Sequence, residues 1–170
     1  MSPAELEAKL MRGVFSDMFI PGFLDQDETP VRFCALRTTL YIESGDSLIE
    51  LRAVGTTGTM ALTWASSVGT SSDLDEDMLA AATSIRQQIL NDADGRNELS
   101  AIRLWNMDVR DGELVCGAMQ LDLANGQQIF IDPTYHFGMR VGGSEQRAIW
   151  LENQTSSPAE RIIQLASERS

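Results

Sequence analysis

Lysine, histidine and cysteine are nearly missing from this chain. Lys9 is the sole lysine, His136 the sole histidine, and the only cysteines are Cys34 and Cys116. One histidine and two separated thiols do not make the usual zinc set, and two cysteines do not make a disulfide framework. No run approaches the ~18 apolar residues of a membrane helix. The first residues, Met1 to Glu7, lack the charged start and apolar centre of a signal peptide. Missing too are the phosphate-binding pattern Gly-x-x-x-x-Gly-Lys and a dinucleotide fingerprint Gly-x-Gly-x-x-Gly after a strand. Gly55-Thr56-Thr57-Gly58-Thr59 is glycine-rich, but no helix N-terminus follows it to hold an anion. These absences lead us to expect a cytoplasmic protein with free thiols, no metal and no cofactor.

What the chain has in excess is negative charge. Twenty-five acids face thirteen bases over 170 residues, a net charge of −12. Such a field disfavours nucleic acid and anionic membrane surfaces and favours a basic protein partner. The acids are densest at 71–100, where Asp73, Asp75, Glu76, Asp77, Asp92, Asp94 and Glu98 face only Arg86 and Arg96.

The length suits one domain, 1–170. Ser2-Pro3-Ala4-Glu5 is a capping box, and Leu6, Leu10, Val14 and Met18 recur at spacing four, which predicts a helix over 3–18. A second helix is expected over 74–90, capped by Asp73 and Glu76, with Leu74, Met78, Ala82, Ile85 and Ile89 on one face. The tetrapeptide recurs at Ser157-Pro158-Ala159-Glu160 and predicts a short last helix carrying Ile162, Ile163 and Ala166. Strands are expected at 31–43, 48–54, 59–66, 101–110, 113–124, 127–132, 137–141 and 146–152, with turns at Gly45-Asp46, Thr57-Gly58, Asp111-Gly112, Asn125-Gly126 and Gly142-Gly143. Residues 19–30 and 66–73 read as irregular. The expected fold is α+β: a mostly antiparallel sheet of about seven or eight strands, with the three helices packed on one face. Trp64, Trp105 and Trp150 read as core.

Three sites come into view. Cys34 or Cys116 as nucleophile, His136 as base and Asp132 as its orienter would have the residue types of a cysteine hydrolase. Both thiols, however, fall inside strands, away from the helix N-termini that lower a thiol pKa. The segment 132–143 gathers Asp, Pro, Tyr, His, Phe, Arg and three glycines, the composition of a shaped binding loop or of a strand corner. The acids Asp75, Asp77, Asp92 and Asp94 flank the expected middle helix and read as a docking face for a basic partner. The partner-binding residues are therefore expected to be Asp75, Asp77, Asp92, Asp94, Tyr135 and His136.

With no cofactor motif, a binding role ranks first. Small size, acidity and lack of motifs resemble bacterial toxin-immunity proteins, which would make the chain an inhibitor that neutralises a basic toxin or enzyme. The predicted element order is also similar to that of the type III secretion chaperones, which bind effector segments as dimers. The strands after 124 and the short last helix depart from that pattern.

Overall fold

The computed structural model describes residues 1–10, 13–27, 29–69 and 78–165. In chain order the elements are α1 (Pro3–Leu10), β1 (Phe15–Asp25), β2 (Arg32–Ala35), β3 (Thr39–Ser44), β4 (Ser47–Ala53), β5 (Met60–Ala65), β6 (Met78–Ser84), α2 (Arg86–Ile89), β7 (Leu99–Trp105), β8 (Asp108–Arg110), β9 (Glu113–Cys116), β10 (Ala118–Leu123), β11 (Gln128–Asp132), β12 (Arg140–Gly142), α3 (Ser144–Glu152) and β13 (Glu160–Gln164). Every strand pairing among them is antiparallel. One sheet runs β2-β1-β3-β4-β5-β9-β8, with β6 added to β1; the other runs β12-β11-β10-β7-β13. The described residues thus form mainly antiparallel sheet with three short helices. Among the described residues thirteen strands replace the seven or eight expected, because expected strands break where they bend and all three expected helices contain strand residues.

The two sheets share one core. In the larger sheet, Leu40, Leu51, Leu62 and Leu114 face one another across four strands. In the smaller sheet, Ile163, Ile102, Leu121 and Ile129 do the same. Both rows are buried in a single apolar cluster. Leu6 and Leu10 of α1 enter that cluster, each contributing roughly 1.5–3 kcal/mol by burial.

One hairpin belongs to both sheets. β7 and β10 pair in the smaller sheet, while their continuations β8 and β9 pair in the larger one. The corner lies at Asn106-Met107 opposite Gly117. Asn106 has φ 50°, and the Gly117 N–H donates to the Trp105 carbonyl at 2.7 Å. Strands that switch sheets in this way make the corners of packed-sheet folds. The hairpin closes at Asp111-Gly112, where φ values of 51° and 81° give the two-residue turn that fits strand twist.

Several expectations are corrected. The capping box forms: the Glu5 N–H donates to Ser2 Oγ at 3.2 Å and the Ser2 N–H to Glu5 Oε2 at 2.6 Å. The helix nevertheless ends at Leu10 rather than 18. Gly13 turns the chain against Ser44 and the Leu10 carbonyl, and β1 follows. Leu6, Leu10 and Met18 are all buried, as spacing four requires, but they lie on two different elements. The expected loop 19–30 contains the rest of β1. Pro21 is tolerated there because β1 hands its pairing from β3 to β2 at that point, and the Pro21 carbonyl accepts from Leu36 N–H.

Over 78–90, the described part of the second expected helix, the chain forms β6 and then the short α2; Asp73, Leu74 and Glu76 lie outside the described residues. The strand expected at 146–152 is α3, whose Glu145, Gln146, Arg147 and Ala148 favour a helix. Ala166 lies outside the described residues, and the described part of the last expected helix, with Ile162 and Ile163, is β13. Its backbone is held extended by two bonds to Asn106, which donates from its N–H to Ala159 O and accepts from Ala159 N–H through Oδ1. The Asn125-Gly126 turn takes three residues, Ala124 to Gly126, with Gly126 at φ 87°. The resulting element order no longer matches the helix-strands-helix pattern similar to the secretion chaperones.

Asn106 thus serves the corner twice, by its backbone angle and by its side-chain oxygen. Asn106→Ala removes both and should destabilise the protein by about 2 kcal/mol in urea denaturation, whereas Asn106→Gly, which keeps the backbone angle, should cost about half as much.

Candidate functional site

The outer face of the smaller sheet carries the densest polar arrangement. Its central row runs Ile162, Arg103, Gln120, Phe130 and Gly142 across the five strands. Arg103 Nε donates to Asp122 Oδ2 at 2.6 Å and Arg103 Nη1 to Glu160 Oε1 at 3.1 Å. Gln120 Nε2 donates to Asp122 Oδ1, and Arg147 Nη1 of α3 reaches Gln120 Oε1 at 3.3 Å. The Asp122 carboxylate, then that of Glu160, holds the Arg103 guanidinium above its ordinary pKa. Beside this network, Trp105, Phe130 and Trp150 form a buried aromatic triangle with centroids 5.4–5.9 Å apart. Each charged group in the network has a partner, so the arrangement fastens α3 and β13 to the sheet and offers no free acid or base. Polar residues interrupting apolar strands, as in Ala118-Met119-Gln120-Leu121-Asp122, were the available sequence signal for it.

The second place is the turn after β11. Asp132 is buried, with Oδ1 accepting from Thr134 N–H (2.8 Å) and Thr134 Oγ1 (2.6 Å) and Oδ2 accepting from Gln146 Nε2 (2.7 Å). Oδ1 thus closes the turn on Thr134 and Oδ2 pins it to α3 through Gln146, and neither oxygen is hydrogen-bonded to His136. Beyond Asp132 the chain projects Tyr135, His136 and Phe137. Phe137 is 71% exposed and meets the rings of Tyr135 and His136 edge-on at 5.6 and 5.0 Å. The Arg140 guanidinium stacks 3.5 Å from the Tyr135 ring centre. Gly138, at φ 115°, lies so close to Arg37 that an added Cβ would sit 2.5 Å from the Arg37 Cβ, and the Met139 N–H donates to the Arg37 carbonyl. Arg37, about a hundred residues away in sequence, had no signal marking it as part of this group.

The third place is the acidic bend. Asp92 and Asp94 are exposed at 91–95, where Asp92 Oδ1 accepts from Gly95 N–H and Asn91 N–H donates to Gln127 Oε1. A cleft of about 400 Å³ opens beside it, lined by Gln88, Asn91, Gln127, Gln128, Gly143 and Ser144 among others, with no titratable side chain. It offers hydrogen bonds but no proton-transfer group. Asp75 and Asp77 lie outside the described residues. The structure does not join the acidic bend to Tyr135 and His136. Asp92 and Asp94 flank the start of β11 and the aromatic loop follows its end, roughly 13 Å of strand apart.

The thiols are placed unlike an activated nucleophile. Cys116 lies in the shared core, and burial pushes its pKa from 9.0 up to about 12. Cys34 sits on β2 opposite Phe23. Among the described residues no hydrogen bond links His136 to either. No cluster of three metal-ligating side chains occurs among the described residues, and no helix there is long and apolar enough to cross a membrane. Comparison with protein-family models, curated proteins and solved structures finds no match for this chain.

Two outcomes follow. Asp122→Ala leaves Arg103 and Gln120 short of an acceptor and should cost about 2–3 kcal/mol, discounted for the partial exposure of Arg103, while adding Arg103→Met should restore part of that in a double-mutant cycle. Cys116 should resist a thiol reagent until the protein unfolds. Because its folded pKa is raised, the stability it confers is full below pH 9 and lost as pH climbs toward 12; this loss should be absent from the Cys116→Ala variant in pH-dependent denaturation.

Proposed function

We propose that this chain is an acidic protein-binding domain that neutralises a basic partner, a bacterial toxin or enzyme, by direct contact, in the manner of an immunity protein. The observation that carries this reading is the net charge of −12. Much of that charge sits on exposed carboxylates, Asp27, Asp46, Asp92, Asp94 and Asp111 among them, which have no ion-pair partner among the described residues. Unpaired surface charge of one sign costs some stability through self-repulsion and accelerates encounter with an oppositely charged protein. Asp92 and Asp94 belong to that surface, held on a bend whose backbone is tied down by Asp92 Oδ1 and Gln127.

The test is co-purification with the product of the neighbouring reading frame, followed by titration of the pair. A tight complex whose affinity falls steeply with salt supports the reading. Asp92→Lys with Asp94→Lys should weaken that complex about tenfold at low ionic strength and much less at about 0.5 M salt. A neighbour that is acidic, or a complex indifferent to salt, overturns it.

A further inference from the structure

We infer that the loop from Tyr135 to Arg140, together with Arg37, is a docking knob for a protein recess that is apolar at its base and carries carboxylates at its rim. This rests on the reading of a basic partner and adds the chemistry of the patch that the partner presents.

Exposed aromatic residues and arginine are the side chains most enriched in the energetic centres of protein interfaces. Here Tyr135, Phe137, Arg37 and Arg140 are exposed together. Phe137 stands out furthest, yet it is ordered by edge contacts to Tyr135 and His136. The knob is also built rigidly. Asp132 anchors its start, the Gly138 N–H donates to the Tyr135 carbonyl at 3.1 Å, the Met139 N–H donates to Arg37 O at 2.7 Å, and Arg140 is stacked on Tyr135. A preorganised knob loses little conformational freedom on binding.

Its local charge is opposite to that of the whole chain. Arg37 and Arg140 are exposed guanidinium groups with no carboxylate within ion-pair distance among the described residues. Bidentate pairing to carboxylate is the contact that arginine geometry favours. The two scales are compatible, since net charge governs approach over several ångströms and the knob governs contact. Nucleic acid also suits arginine beside aromatics, but a chain at −12 repels its phosphates. A second copy of the chain offers carboxylates, but two copies at −12 repel each other as wholes.

Two arms test the knob. In the first, the protein is titrated by NMR with three acetylated peptide amides, Glu-Leu-Leu-Glu, Gln-Leu-Leu-Gln and Lys-Leu-Leu-Lys. The acidic peptide should shift the Tyr135, His136, Phe137 and Arg140 resonances and bind at least about fivefold more tightly than the others, a preference lost in Arg140→Gln. Equal binding of the three, or shifts elsewhere, overturns the proposal. So does a short single-stranded RNA that shifts the same resonances more strongly, or a dimer in sedimentation that Phe137→Ser dissolves. In the second arm, Phe137→Ser should weaken the complex with the co-purified basic protein about tenfold or more, with the fold unchanged by circular dichroism. Unchanged affinity there overturns the knob and leaves the basic-partner reading intact. A peptide preference without any basic partner does the reverse.

Discussion

The fold depends on a single hairpin being shared between two sheets. From Leu99 to Leu123 the chain goes out and back once, and in doing so contributes two strands to each sheet. This is possible because the backbone turns a corner at Asn106, a residue that tolerates positive φ, and the Gly117 N–H closes that corner on the Trp105 carbonyl. Without the corner, the inner row from Ile163 to Ile129 and the row from Leu40 to Leu114 would have no common cluster to fill. The same Asn106 sets the start of β13 through Ala159, so the edge of the smaller sheet is positioned by the corner as well. A second tie lies near the N-terminus, where Phe15 N–H donates to Asn97 O and Leu99 N–H donates to Gly13 O, joining the entries of β1 and β7.

The aromatic loop inherits its rigidity from that arrangement. Asp132 belongs to the smaller sheet, while Arg37 and Gly58, which touch Gly138 and Thr134, belong to connections of the larger one. The loop therefore spans the seam between sheets whose relative position is set by the hairpin. Few loops can hold a phenylalanine in water without folding it inward. Here Phe137 is held by edge contacts to the Tyr135 and His136 rings, on a loop fastened at one end by Asp132 and at the other by the Arg37 carbonyl.

Turns and charge were legible from the sequence; the choice between helix and strand was often not. Asp111-Gly112 and Gly45-Asp46 turn the chain where local residue chemistry requires, because the turn preference is a property of two residues and their backbone angles. The two copies of Ser-Pro-Ala-Glu show the opposite case. At Ser2 the box is followed by Leu, Glu, Ala, Lys and Leu, all helix formers with leucines four apart, and a helix forms. At Ser157 it is followed by Arg161-Ile162-Ile163-Gln164, which pairs along β7 and buries Ile163. A capping box is worth about 1 kcal/mol, less than five paired positions and a buried isoleucine. The misreading at 78–84 and at 146–152 has the same origin. Short apolar runs fit either period, and tertiary pairing decides between them.

The candidate sites divide along the same line. Asp92, Asp94, Tyr135 and His136 were visible because their exposure follows from local composition, but their separation along β11 depends on which strands pair. Arg37 was invisible because nothing in Leu36-Arg37-Thr38 distinguishes it; its role arises only when Met139 donates to its carbonyl and Gly138 closes on its Cβ. The polar network on the smaller sheet lies between these cases. Gln120 and Asp122 stand on the same face of β10, and a carboxylate taken into a buried strand requires a partner. That partner is Arg103, set beside it by the β7–β10 register, and through Glu160 it reaches β13. Charge on this protein therefore has two fates. Within the smaller sheet the Asp122 carboxylate is neutralised by Arg103, whereas on the surface some carboxylates pair, as Glu98 with Arg96 and Asp108 with Arg110, and others such as Asp92 and Asp94 have no ion-pair partner among the described residues.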